Sequence, residues 1–184
     1  MIESTAKVTI DASDEGVVIA IIPDTKAWQK AALAIWSGVW TFTGVIGMVG
    51  MLKEASQEAM TFLLVFFAFW AYFLFYALRS LIWHRVGAEY IRISDENMDY
   101  KRSWGSYGTV RSYDLATMKN LGTVNYEDKK FARSYSQAFW TIGGEMIGFD
   151  YLGRKVALGF KLDEGQAKDL VRRIEKSRRK AEKA

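Results

Sequence analysis

The chain contains no cysteine, a single histidine, His84, and a single proline, Pro23. The first absence removes disulfides, thiolate nucleophiles and cysteine metal sites. The second leaves little for proton transfer, which needs positioned groups that titrate near neutrality. Gly105, Gly108, Gly143 and Gly144 fit neither GxxxxGK[ST] nor a GxGxxG run that follows a strand into a helix, so nucleotide binding has no support. The acidic pairs Asp95-Glu96, Glu127-Asp128 and Asp163-Glu164 fall in expected turns or a helix cap, where water and backbone satisfy them, and no carboxylate dyad is indicated. Neither an enzyme nor a cofactor or metal site is expected.

Charge is scarce over a long middle stretch. Residues 31–83 contain four formal charges, Lys53, Glu54, Glu58 and Arg79, and three of them cluster between two apolar runs. The first run, 31–52, is 22 residues without a charge, close to the roughly 20 that a helix needs to cross about 30 Å of hydrocarbon. The second, 60–83, is dense in aromatics around its whole circumference, including Phe62, Phe66, Trp70, Tyr72 and Phe75. Two such runs in 184 residues leave nothing large enough to bury them in a soluble fold, and they read as a transmembrane hairpin over 28–85.

Trp28 and Lys30 stand before the first run and Trp83, His84 and Arg85 close the second, where aromatic and basic side chains favour the headgroup level. Imidazole also ligates haem and pigment metals, but beside Trp83 and Arg85 the anchoring role is the expectation for His84. Gly38, Gly44, Gly47 and Gly50 give the first span small side chains that permit close helix packing, although glycine is also common in membrane helices generally. Trp36 and Trp40 lie beside them. Lys26, Lys30, Arg79 and Arg85 flank the outer ends, against one Lys and two Glu in the connecting turn, which predicts both termini in the cytoplasm. Residues 1–24 lack the basic and apolar regions of a secretory signal and are expected to stay on the mature protein.

The remainder reads mainly as β. Two β-branched runs, 7–11 and 17–22, flank a turn-rich spacer and predict a hairpin within 1–27. Strands are expected over 90–94 and 98–104 around Asp95-Glu96-Asn97, over 108–114 and 116–121, and over 146–150 and 156–162 around Leu152-Gly153-Arg154. Residues 125–137 read as a polar loop. A helix is expected over 163–180: Asp163 and Gln166 have capping-box spacing, and Ala167, Leu170, Val171 and Ile174 form one apolar stripe that ends before Lys176. The last twenty residues hold eight Lys or Arg against three acids. For a chain held at a bilayer, such a tail meets anionic headgroups before nucleic acid, which is not an expected partner.

The stretches VGAEYIRISDENMDYKRSWGSYGTVRSY (86–113) and GFDYLGRKVALGFKLDEGQAKDLVRRI (148–174), joined to a membrane hairpin, resemble the bacterial two-transmembrane-helix proteins with a pleckstrin-homology-like domain. The resemblance lies in arrangement and covers under half of the chain. It implies a membrane α+β protein in which a small antiparallel β-barrel or sandwich over 86–184 is capped by a carboxy-terminal helix, generally with no assigned reaction. This chain departs from it by placing two strands ahead of the hairpin, and those strands either join the later sheet or form a separate edge.

Two functions from different classes remain. The first is a non-catalytic accessory, scaffold or assembly subunit of a larger inner-membrane complex, such as a respiratory or photosynthetic one, with other integral membrane subunits as partners. The alternative is a membrane-anchored module that binds lipid headgroups through Lys101, Arg102, Arg111, Lys129, Lys130 and Arg133, each cation near an anionic surface contributing about 1 kcal/mol. The competing reading of that set is an ordinary solvated sheet face and loop.

Overall fold

A computed structural model describes residues 6–13, 16–54, 56–124 and 142–181. The chain divides into two units, one formed by residues 1–25 and 83–184 and the other by residues 26–82.

The first unit is the β domain. Its larger sheet holds five antiparallel strands in sequential order: β1 (Ala6–Ser13), β2 (Gly16–Pro23), β3 (Gly87–Ile93), β4 (Asn97–Trp104) and β5 (Val110–Asp114). Its smaller sheet holds β6 (Lys119–Thr123), β7 (Glu145–Tyr151) and β8 (Arg154–Phe160). The amino-terminal hairpin therefore joins the later sheet. β2 pairs with β3 through Ile19↔Ile91 and Ile21↔Glu89, so the two apolar helices are an insertion between strands that are neighbours in space. His84 Nδ1 lies 2.7 Å from Thr25 Oγ1, and this buried hydrogen bond ties the point where the chain leaves the domain to the point where it returns.

Period-2 alternation sets the domain's core. Ile19, Ile21, Ile91, Ile93, Met98, Tyr100 and Tyr113 point inward from the larger sheet and meet Ile147, Phe149 and Leu158 from the smaller one. The carboxy-terminal helix, which we number α3 (Glu164–Ala181), adds Ala167, Leu170 and Ile174 to the same core. Its start is a reciprocal capping box: the Gln166 N–H donates to Asp163 Oδ1 at 2.7 Å, and the Asp163 N–H donates to Gln166 Oε1 at 3.1 Å. The helix outlasts its apolar stripe because Arg178 donates to the Met118 carbonyl at 3.1 Å and pairs with Glu175. The strand expected over 116–121 begins later, at Lys119, after a turn in which Asp114 accepts from the Ala116 N–H and the Thr117 hydroxyl. These bonds hold its carboxyl below the usual range. The loop expected over 125–137 lies outside the described residues.

A charged knot sits in this core. Glu89 shares the inward parity of Ile91 and Ile93 and is 0% exposed. Its Oε1 accepts from the Tyr100 hydroxyl and from Arg102, and its Oε2 accepts from the backbone N–H groups of Gly159 and Phe160, each at 3.0 Å. The left-handed φ of Gly159, +83°, turns two successive N–H groups toward one carboxylate oxygen. Arg102 also reaches Glu145 at 2.8 Å. Burial and then the Glu89 charge push the Tyr100 hydroxyl up. Burial alone would lower the Arg102 guanidinium, and the Glu89 carboxylate holds it above its ordinary value instead. One side chain thus bonds β3, β4 and β8 together.

Replacing Glu89 by Ala strips a buried guanidinium and two backbone donors of their acceptor, and is expected to destabilise the domain by about 3 kcal/mol, read from urea unfolding of the full chain. A second expectation concerns Lys161, which is 4% exposed and which burial pushes down to about 8 from 10.5. Below pH 8 folded and unfolded chains both carry that proton and the burial cost is fully present. Between about 8 and 10.5 the unfolded chain holds it more tightly, so stability should rise with pH across this window by up to about 3 kcal/mol. Lys161→Met should flatten that slope.

Candidate functional site

The second unit is made of two long helices, α1 (Ala27–Glu54) and α2 (Gln57–Val86), of which residues 83–86 belong to the β domain. Both are long and apolar enough to cross a membrane, over Ala27–Met51 and Met60–Val86. The most apolar window of α2 has no buried residue, whereas the core helix of a soluble domain would be mostly covered. Ile35, Phe42, Val45, Phe62, Phe69 and Phe75 are among the large side chains left exposed.

Within this unit α1 and α2 meet through aromatic side chains laid on small ones. A Cβ at Gly44 would overlap the Trp70 indole, and one at Gly47 would sit 3.4 Å from the Phe67 ring. Trp70 Nε1–H donates to the Trp40 carbonyl at 2.9 Å, and Trp40 Nε1–H donates back to the Trp70 carbonyl at 3.3 Å. Each indole so finds an acceptor in an otherwise apolar surround. Trp36 stacks on Trp40 at 5.2 Å.

Gly38 and Gly50 behave differently: a Cβ at either would meet nothing within 4 Å. Gly38 lies in an open groove of about 500 Å³, lined on α1 by Ala34, Ser37, Thr41 and Val45 and on α2 by Leu78 and Leu81. The α1 members recur at three- and four-residue spacing, so they form one stripe along the helix. Ser37 is buried, and its hydroxyl has no hydrogen-bond partner among the described residues.

The other candidates are dispersed. Trp28 and Lys30 stand in the first turn of α1, with Trp28 exposed. Trp83 and His84, expected at the headgroup level, are instead core residues of the β domain. Trp83 is 0% exposed, with Trp104 and Phe160 packed edge-on at 5.1 and 5.4 Å and the Arg102 guanidinium over its ring. Gly87 makes this possible, since a Cβ there would strike the indole. His84 is buried on Thr25, and only Arg85 of the three is exposed. Of the cations expected to gather for anionic lipid, Arg102 is committed to Glu89 and Glu145, while Lys101 and Arg111 fall on opposite faces of the sheet because Lys101 is registered with Val110 and Tyr100 with Arg111. Lys129, Lys130 and Arg133 lie outside the described residues.

The Glu89–Arg102 knot is missed when Arg102 is assigned to lipid headgroups, and the signal that could have found it is a conflict of parity: Glu89 and Arg102 occupy the apolar alternation of β3 and β4, where a charge needs a buried partner. The Ser37 groove has no comparable signature, because a small residue in an apolar run reads the same whether it faces lipid, its own neighbour or a partner. Among the described residues no cluster of His, Asp and Glu is suited to hold a metal ion. No family model matches the chain, and comparison with curated proteins and with solved structures likewise gives no match.

Gly44→Leu should expel Trp70 from its seat and lower the stability of the full chain in detergent by about 2 kcal/mol, the usual scale of overpacking. Gly50→Leu, at a position where an added Cβ meets nothing within 4 Å, should leave the thermal midpoint unchanged.

Proposed function

We propose that the chain is a non-catalytic accessory or assembly subunit of a membrane complex, spanning the bilayer with α1 and α2 and receiving a transmembrane helix of another subunit in the Ser37–Gly38 groove. The observation that carries this reading is the groove itself, with the small residues Ala34, Ser37, Gly38 and Thr41 at helical spacing along its α1 wall. In lipid, helices associate by close packing, which small residues on a groove wall permit. The β domain, a pleckstrin-homology-like fold in this reading, is then the part presented to the cytoplasm, with both termini on that side. Lys26, Lys30, Arg79 and Arg85 support that orientation against the turn between the helices.

A mild-detergent pull-down from the native membrane, followed by mass spectrometry and an absorption spectrum, tests the reading. Stoichiometric membrane subunits should accompany the wild type and Gly50→Leu and be lost with Gly38→Leu, which puts a bulky side chain into the groove from a position where an added Cβ has clear space. A lone protein carrying only anionic lipid would overturn the proposal in favour of headgroup recognition. Protease digestion of oriented vesicles should cut the β domain from the cytoplasmic face.

A further inference from the structure

β1 is an edge strand: it pairs with β2, and among the described residues no other strand adds to it. An eight-residue edge exposes a row of backbone donors and acceptors that can template another strand. Proteins often blunt such an edge with a lysine, and β1 carries Lys7. It also carries Asp11, four residues on and on the same face, since Lys7 is registered with Ile22, Thr9 with Ala20 and Asp11 with Val18. Lys7, Thr9 and Asp11 are all exposed. The strand is thus blunted against most sequences and complementary to itself.

We infer that a second copy of this chain adds to that edge, β1 pairing antiparallel with β1 about a two-fold axis at Thr9. In this register Lys7 of each copy faces Asp11 of the other, Val8 faces Ile10, and Thr9 faces Thr9. Two opposite-charge pairs and a threonine pair form on one face, and two apolar pairs on the other. The apolar pairs answer a second feature. Ile10 is 42% exposed although its parity is inward, and with Val8 it borders a groove of about 150 Å³ against Leu162 and Leu170. A second strand carrying the same two side chains extends the apolar inner face at this edge. The two-fold makes the contact isologous and closed, so the edge is used up and no fibre follows. The inference stands independently of the helix groove.

The absence of cysteine makes the test clean. Directly opposed antiparallel residues have Cα atoms about 5 Å apart, within reach of a disulfide. Thr9→Cys in the full chain, oxidised in its membrane, should give a covalent dimer. Lys7→Cys or Asp11→Cys alone should not, because each lies about 13 Å from its own copy; mixed together, the two should cross-link. Adding Lys7→Glu to Thr9→Cys should weaken the dimer roughly tenfold, about 1.4 kcal/mol, and Lys7→Asp with Asp11→Lys should restore it. A Thr9→Cys chain that cross-links no faster than Leu152→Cys, exposed at the β7–β8 turn, would overturn the inference. So would a monomeric mass for the wild type by light scattering in mild detergent.

Discussion

The pairing of β2 with β3 is the constraint on which the rest of this structure depends. It closes a loop that contains both apolar helices, and closing a long loop costs chain entropy only logarithmically in its length. What must offset that cost is local: the Ile19↔Ile91 and Ile21↔Glu89 pairs, the Thr25–His84 hydrogen bond, and the Glu89 carboxylate that extends from the same register position to Arg102 and the β8 backbone. Without that ladder the amino-terminal hairpin would be an isolated two-stranded ribbon, marginal in water.

Electrostatics and packing meet in the same few residues. Arg102 is held over the Trp83 ring while it pairs with Glu89, and Trp83 rests on Phe160, whose N–H donates to Glu89. The cluster therefore ties the last turn of α2 to strands in both sheets. A charge placed there without its partners would be costly, and with all of them present it fixes the register of three strands at once.

Much of this was legible in the chain because it rests on short-range rules. The long apolar runs gave the two long helices, the turn residues gave the hairpins at 94–97 and 151–154, and Asp163 with Gln166 gave the start of α3. What was not legible depends on contacts distant in sequence. Trp83, His84 and Arg85 have the composition of an interfacial anchor, and only the return of the chain beside Thr25 and Phe160 makes two of them core. Whether the first two strands stood alone or joined the sheet could not be decided from alternation, since an edge and a central strand alternate alike. The length of α3 was anticipated at 163–180, but the bond from Arg178 to a carbonyl sixty residues away was not. Of the glycines, only backbone placement distinguishes Gly44, under an indole, from Gly38, in open space.

The insertion of the helices between paired strands also imposes a sequence of events in time. The ribosome releases β1 and β2 first, but their neighbour lies some seventy residues further on, beyond both apolar segments. The larger sheet is thus completed only after those segments have been synthesised. Closure of the β fold waits on synthesis of the helices, and a chain stalled between them would carry an unfinished sheet with an open β2 edge.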